Sequence, residues 1–273
     1  MPTRSDMSAS PAAYDPAALR LLAMEAALAG GRTLLAWRDK FTTREKGPAD
    51  LVTDADIAAQ RAVRDVLLGA RPDDAFIGEE SPPGAAADRH GKVCWIVDPL
   101  DGTTNYVHGF PMFATSVGAV FDGELIAGAI YDPMRDEMFS AAKGGGAFLG
   151  ETSIHVTEAA TLSESLVAVS LPPRVNIDSP DLRAFIAVVQ GSRAVRRTGS
   201  AALNLAYVAA GRMDAHWAFS IHPWDATAGV LICQEAGAVV TNCAGQPFDV
   251  WEADYLVAAT ASLHRDVLER LGG

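Results

Sequence analysis

Apolar residues dominate the stretch Ala17 to Trp37, but Arg20, Glu25 and Arg32 interrupt it, as does the pair Gly30-Gly31. The pattern predicts a packed amphipathic helix opening after Asp15 rather than a membrane span. A second helical pattern starts near Asp54 and runs through Ile57, Val63, Val66 and Leu67 to Gly69, where a glycine can end it. Two short apolar runs follow, Ala75 to Gly78 and Val93 to Val97, each halted by acidic residues. Both read as buried strands. Ala114 to Phe121 and Glu124 to Tyr131 flank Asp122-Gly123, the strongest short-range signal for a hairpin. Glu137 to Ala142 and Ala147 to Leu149 continue that sheet across Gly144-Gly145-Gly146. The glycine triplet follows no βα pattern and precedes a strand, so it reads as a turn and not as a phosphate-gripping loop.

After about residue 155 strands and helices alternate. Leu166 to Leu171 reads as a strand, and Leu182 to Val189 as part of a helix. Ser200 to Ala210 is a helix capped by Ser200 and closed by Gly211. Trp224 to Ala236 is another, followed by strands at Val239-Val240 and Tyr255 to Ala259 and a closing helix from Ser262. Hairpins first and alternation second predict an α/β (α+β) fold of sheets layered between helices. The expected divisions are a flexible tail over 1–14, an α+β subdomain over 15–155 with most of the candidate ligands, and an α/β subdomain over 156–273.

Composition narrows the ligand classes. The 34 acidic residues outnumber 22 Lys and Arg, a net charge of −12, which argues against nucleic acid as the main ligand. An acidic protein that holds an anionic substrate needs metal ions as its positive charges. Cys94, Cys233 and Cys243 form no CxxC pair and read as buried apolar residues of a reducing compartment. No small-residue cleavage site follows a clean apolar stretch, so the expectation is a soluble, cytoplasmic protein.

The position of the acids carries the chemistry. Glu79 and Glu80 end one apolar run, and Asp98 ends the next, with Asp101 three residues on. Asp56 and Asp225 lie near predicted helix starts. Such carboxylates converge on the crevice where open α/β sheets bind ligands. In WIVDPLDGTTNY (Trp95 to Tyr106), Pro99 fixes the turn between Asp98 and Asp101. Two carboxylates held so close repel unless a cation lies between them. Oxygen ligands without Cys or His favour Mg²⁺ over Zn²⁺. Gly102-Thr103-Thr104 then gives a backbone able to approach an anion, and a helix starting there would turn free N–H groups on a phosphate. An Asx-type turn with helix capping is the plainer alternative for this segment.

The segments DLVTDAD (Asp50 to Asp56), FIGEES (Phe76 to Ser81), WIVDPLDGTTN (Trp95 to Asn105), RRTGSAALNLAYVAAG (Arg196 to Gly211) and HPWDATAG (His222 to Gly229) together resemble the inositol monophosphatase family, in order and spacing, from about Leu21 onward. The resemblance implies a layered αβαβα sandwich and a Mg²⁺-dependent, lithium-sensitive phosphomonoesterase, a homodimer with two or three ions per subunit. It implies that Glu79, Asp98 and the carbonyl of Leu100 hold one Mg²⁺, that Asp98, Asp101 and Asp225 hold a second, and that Glu79 helps a weaker third. Asp56 and Thr103 would orient and deprotonate the attacking water, with Glu79 beside them, and Gly102 and Thr103 would hold the phosphate. Gly199, Ser200, Ala201 and Asp225 would line the alcohol side.

Several neighbours stay open at this point. Glu80 is either a ligand or a partner of one. Asp54 competes with Asp56 as a helix cap, and Lys46 and Asp50 are candidates for the border of the metal site. The six histidines form no HxH or HExxH, and His222 reads as structural more than as a substrate contact. Trp95 and Trp224 read as core. Where inositol-type members commonly carry a glutamate, seven residues before Asp225, this chain has Ala218. That leaves the substrate open between inositol 1-phosphate and other small phosphates: histidinol phosphate, fructose bisphosphate, a nucleotide 3′,5′-bisphosphate or NADP. A non-catalytic binding protein on the same fold is the reading of another class.

Overall fold

Helix α1 (Pro16–Trp37) begins where Asp15 caps it, the Ala17 N–H donating to Asp15 Oδ1 at 3.0 Å. The computed structural model describes residues 14–47, 50–82, 89–172, 174–219 and 221–272. Of the expected tail only Tyr14 lies among them, and its ring packs on Phe121 at 4.9 Å between centroids. The remainder of 1–14 lies outside the described residues. Strands β1 (Thr43–Gly47) and β2 (Asp50–Thr53) form an antiparallel hairpin with no clear alternation in sequence. Helix α2 (Asp54–Ala70) follows. Gly69 does not end α2. It is the penultimate helical residue, and the Arg71 N–H still bonds the Leu67 carbonyl at 2.9 Å. An exposed glycine in the last turn costs only about 1 kcal/mol, too little to break a packed helix.

Strands β3 (Ala75–Gly78) and β4 (Val93–Asp101) pair in parallel. After the short helix α3 (Thr103–Val107), strands β5 (Ala114–Phe121), β6 (Glu124–Asp132), β7 (Glu137–Ala142), β8 (Gly146–Leu149) and β9 (Thr152–Ile154) complete a seven-stranded sheet in sequence order. Asp122-Gly123 makes the β5–β6 turn as its sequence predicts. The N–H groups of Gly144 and Gly146 both donate to the Glu235 carboxylate, each at 2.8 Å. The triplet is therefore a turn tied to a helix, with its donors already occupied.

The second half runs β10 (Leu166–Val169), α4 (Pro180–Gly191), β11 (Ala194–Arg196), α5 (Ala201–Ala209), β12 (Ala215–Ala218), α6 (Pro223–Glu235), β13 (Val239–Thr241), β14 (Tyr255–Ala258) and α7 (Ala261–Leu271). Its five strands form a mixed sheet ordered β11-β10-β12-β14-β13. Strand alternation divides the cores. Tyr255 and Val257 face α5 and α6, which pack against the large sheet through Ile130 and Phe139. Leu256 and Ala258 face α4 and α7 through Val188 and Val267. On the far side, α1 and α2 cover the large sheet through Ala23, Ala27 and Val63. The layers are helices, sheet, helices, sheet, helices, the αβαβα sandwich that the resemblance implied.

Gly30 and Gly31 explain how α1 lies so close. A Cβ at Gly30 would meet Thr115 Cγ2 at 2.7 Å, and one at Gly31 would meet the Tyr131 ring at 2.4 Å. Their absence of side chains seats the helix directly on the sheet. Among the described residues, no helix is long and apolar enough to cross a membrane.

Candidate metal centre and cleft

Asp98 and Asp101 are three residues apart on β4, and on a regular strand that spacing would send them to opposite faces. The β4–β5 register changes between them: Asp98 pairs with Ser116 and Asp101 with Ala114. One extra residue on β4 makes a bulge at Pro99-Leu100, which restores both carboxylates to one side. Asp225 reaches the same place from the start of α6, where its Oδ2 accepts the His222 N–H at 2.8 Å. Oxygens of Asp98, Asp101 and Asp225 lie within 4.8 Å of one another. Glu79 follows β3, its N–H bonded to the Val97 carbonyl at 3.1 Å. It lines the same cleft of about 640 Å³ as Asp101 and Asp225.

The electrostatics of this cluster are unfavourable by themselves. Burial, followed by the charges of Glu79, Asp101 and Asp225, drives Asp98 well above the ordinary carboxylate range. Burial and then Asp101 push Asp225 up to about 8. Asp101 is pushed up to about 6 by burial, against the pull of its donors at the start of α5. Those donors are the Ser200 hydroxyl and the N–H groups of Ala201 at 3.0 Å and Ala202 at 2.9 Å. A divalent cation relieves such a cluster, and an all-oxygen set with no Cys or His in it suits a hard one.

A pH-dependent stability follows. Raised folded-state pKa values mean that the metal-free fold binds more protons than the unfolded chain. The stability that these groups contribute is fully present below the ordinary carboxylate pKa near 4 and is lost as pH rises through about 8. Mg²⁺ at 100 times its dissociation constant should add about 2.7 kcal/mol. The rise in Tm on adding Mg²⁺ should be larger at pH 8 than at pH 5, where protons compete for the same oxygens. Equal shifts in thermal melts at the two pH values would remove these carboxylates as the site of binding.

Beside the cluster stands a second constellation. Thr53 caps α2, and Asp56 returns the contact: its Oδ2 accepts the Thr53 N–H at 2.8 Å and the Thr53 hydroxyl at 2.5 Å. Its Oδ1 accepts the Thr103 hydroxyl at 3.2 Å, and that hydroxyl also lies 3.0 Å from the Leu100 carbonyl. Burial is the main cause that raises the Asp56 pKa, with its hydrogen bonds opposing. Asp54 is turned away to Arg44 at 2.9 Å, which makes Thr53 the cap and leaves Asp56 to face the site. Gly102 starts α3 with φ 96°, a left-handed conformation. A Cβ there would stand 2.9 Å from the Met112 carbonyl oxygen.

Gly199 and Ala201 line the cleft. Ser200 differs from expectation, because its side chain is buried and its hydroxyl turns to Asp101 instead of to the cleft. The Glu80 N–H bonds Gln60 at 2.9 Å. The side chains of Lys46 and Asp50 lie outside the described residues. Trp95 is core, its indole N–H donating to Asp74 at 2.8 Å. Trp224 is half-buried: it packs against the core around Cys94, Ile96 and Val120 and also stacks on His222 at 4.6 Å and 21°, the pair forming a wall of the cleft. Ala218 is buried in the central helical core and adds no polar group. Sequence reasoning passed over Asn105, whose amide bonds the Met112 and Thr198 carbonyls at 2.6 and 2.9 Å, joining α3 to the Gly199 turn. It also passed over Ser170, on the cleft wall. The polar Asn within WIVDPLDGTTN was the available signal for the first. Nothing local marks the second.

Residues 15–272 match the model of the inositol monophosphatase family. The chain belongs to that family. It is 40% identical over 230 residues to an inositol-1-monophosphatase of Caulobacter vibrioides, covering 83% of this chain and 89% of the relative. It is 37% identical over 233 residues to the Nus factor SuhB of Pseudomonas aeruginosa, covering 84% and 86%. The crystal structure of the extragenic suppressor protein suhB from Bartonella henselae superposes with a TM-score of 0.86 at 35% identity, over 93% of this chain and 98% of that one. The family is one of phosphatases, and the Asp98, Asp101 and Asp225 cluster is a group of carboxylates able to hold a metal ion.

Proposed function

We propose that this protein is a Mg²⁺-dependent phosphomonoesterase whose substrate is inositol 1-phosphate. The observation that carries the reading is the convergence of Asp98, Asp101 and Asp225 beside the Thr103–Asp56 hydrogen bond. Relatives named as inositol-1-monophosphatases support the substrate. In this reading Glu79, Asp98 and the Leu100 carbonyl hold one ion, and Asp98, Asp101 and Asp225 hold another. When bound, Mg²⁺ supplies the positive charge that offsets the phosphate and eases deprotonation of water.

The chain's own groups then have distinct tasks. Ser200 and the start of α5 hold Asp101 in a single orientation. Gly102 and Thr103 present backbone N–H groups at the first turn of α3, where no helical carbonyl occupies them. The Thr103 hydroxyl passes its proton to Asp56 Oδ1 as it accepts one from water, and the raised pKa of Asp56 suits that role. Gly199, Ala201 and Asp225 border the space left for the alcohol. Intact carboxylates throughout favour catalysis over a binding role that would not need them.

The test is phosphate release from inositol 1-phosphate, histidinol phosphate, fructose 1,6-bisphosphate and NADP, each with Mg²⁺ and with EDTA. The expected result is turnover of inositol 1-phosphate with Mg²⁺ and none with EDTA. Background rates on inositol 1-phosphate beside efficient turnover of another phosphate would replace the substrate, and background rates on all would remove the enzyme.

A further inference from the structure

Strand alternation places His216 on the same face of β12 as Ala218, while Ala215 and Trp217 face α4 and α7. His216 is wholly buried. Its Nε2 lies 3.1 Å from the Ser170 hydroxyl and 3.4 Å from Asn204 Nδ2, and its Nδ1 lies 3.2 Å from the Tyr255 hydroxyl. Burial pushes its pKa down to about 3, so the ring is neutral, with one nitrogen a donor and the other an acceptor. The neighbours decide which. The Thr198 hydroxyl donates to Asn204 Oδ1 at 2.7 Å, which leaves the amide nitrogen, a donor only, against Nε2. In that amide orientation Nε2 is the acceptor, its one lone pair shared between the Asn204 amide and the closer Ser170 hydroxyl, and Nδ1 carries the proton and donates to Tyr255.

Ser170 is fixed by the same logic. It follows β10, with its N–H bonded to the Trp217 carbonyl at 3.1 Å, and it lines the cleft. Its single hydroxyl proton goes to His216 Nε2. Among the described residues no other polar side chain bonds that oxygen. What Ser170 offers the cleft is a lone pair, and with Ala218 adding nothing polar it is an acceptor on the alcohol side.

We infer that His216 holds Ser170 as a hydrogen-bond acceptor facing the cleft, and that this pair selects phosphate monoesters whose alcohol part carries a hydroxyl or amino donor. The inference rests on the phosphatase reading above. Polyol and amino-alcohol phosphates fit it, whereas a second phosphate or a carboxylate would meet an oxygen unable to donate. Ser170 is the binding group and His216 the positioning residue behind it.

The experiment compares kcat/KM for inositol 1-phosphate with that for phenyl phosphate, which bears no hydroxyl, in wild type, Ser170→Ala, His216→Phe, His216→Gln and the Ser170→Ala/His216→Phe double variant. The expected result is that Ser170→Ala and His216→Phe each lower the ratio about tenfold, the value of one neutral hydrogen bond, with the loss falling on KM and not on kcat. The double variant should lose no more than either single, because both remove one contact. His216→Gln, which keeps an acceptor, should recover part of the ratio. Should His216→Phe fail to fold, Ser170→Ala against Ser170→Thr, which retains the hydroxyl, carries the test. Additive losses, an unchanged ratio, or equal losses on both substrates would overturn the inference while leaving the phosphatase reading in place. So would a higher kcat/KM for fructose 1,6-bisphosphate than for inositol 1-phosphate, since Arg197 on the same wall would then be holding the second phosphate. Wild-type protein inactive on every phosphate would overturn both.

Discussion

Asp98→Asn should lower kcat for phosphate release at least about 1,000-fold, equivalent to about 4 kcal/mol of barrier. Asp98 is the carboxylate shared between both proposed ion sites, and an amide brings neither its charge nor its second anionic oxygen. The fold should survive, since an amide oxygen can still accept the Leu100 N–H that Asp98 Oδ1 holds at 2.9 Å. A second signature separates lost metal from lost structure. Asp98 is pressed by Glu79, Asp101 and Asp225, so removing its charge relieves repulsion in the metal-free protein. In EDTA the variant should therefore melt at the same temperature as wild type or higher, and it should lose most of the Tm rise on adding Mg²⁺. A rate within tenfold of wild type would take Asp98 out of the metal site.

Asp56→Asn should cut kcat about 100-fold, the lower range for loss of a general base. Its side chain serves two ends, Thr103 through Oδ1 and the start of α2 through Oδ2. The variant should thus also lose about 1 kcal/mol of stability, the usual worth of a capping contact. The two proposals make opposite statements about metal. Asp56→Asn should keep the Tm rise with Mg²⁺ that Asp98→Asn loses. Thermal melts with and without Mg²⁺, run beside single-turnover assays, check both at once. If Asp56→Asn lost its response to Mg²⁺ as well, Asp56 would belong among the ligands instead of with the water.

Sequence went furthest where side-chain periodicity and local turn chemistry agree. Asp15, Ser200 and Asp122-Gly123 each sit where their residue type predicts a cap or a turn. Glu79 after β3 and Asp56 and Asp225 at helix starts were legible for the same reason, whereas β4 does not end at Val97 but runs on through Asp98 to Asp101. What was hidden is whatever depends on pairing partners far along the chain. The extra residue in β4 that turns Asp98 and Asp101 to one side shows only in the register with β5. The β1–β2 hairpin has too little alternation to announce itself, and β12 is a four-residue strand buried from both faces, so no period distinguishes it. Trp224 packs against the core as its apolar bulk predicts, and its place at the first turn of α6 also sets it beside His222 on the cleft wall, which its residue type did not announce. The Ser200 hydroxyl is spent on Asp101, a contact across about a hundred residues that no local motif encodes.

The central claim is that carboxylates just after β3, on β4 and at the start of α6 share divalent cations and that phosphate-ester hydrolysis depends on them. The most direct measurement is the rate of phosphate release from inositol 1-phosphate as Mg²⁺ is titrated into metal-stripped protein, wild type beside Asp225→Asn. The account predicts no release without Mg²⁺, a saturable rise with it in wild type, and a plateau at least about 100-fold lower in the variant. Release at one rate across the whole titration, or an Asp225→Asn plateau equal to that of wild type, would contradict it.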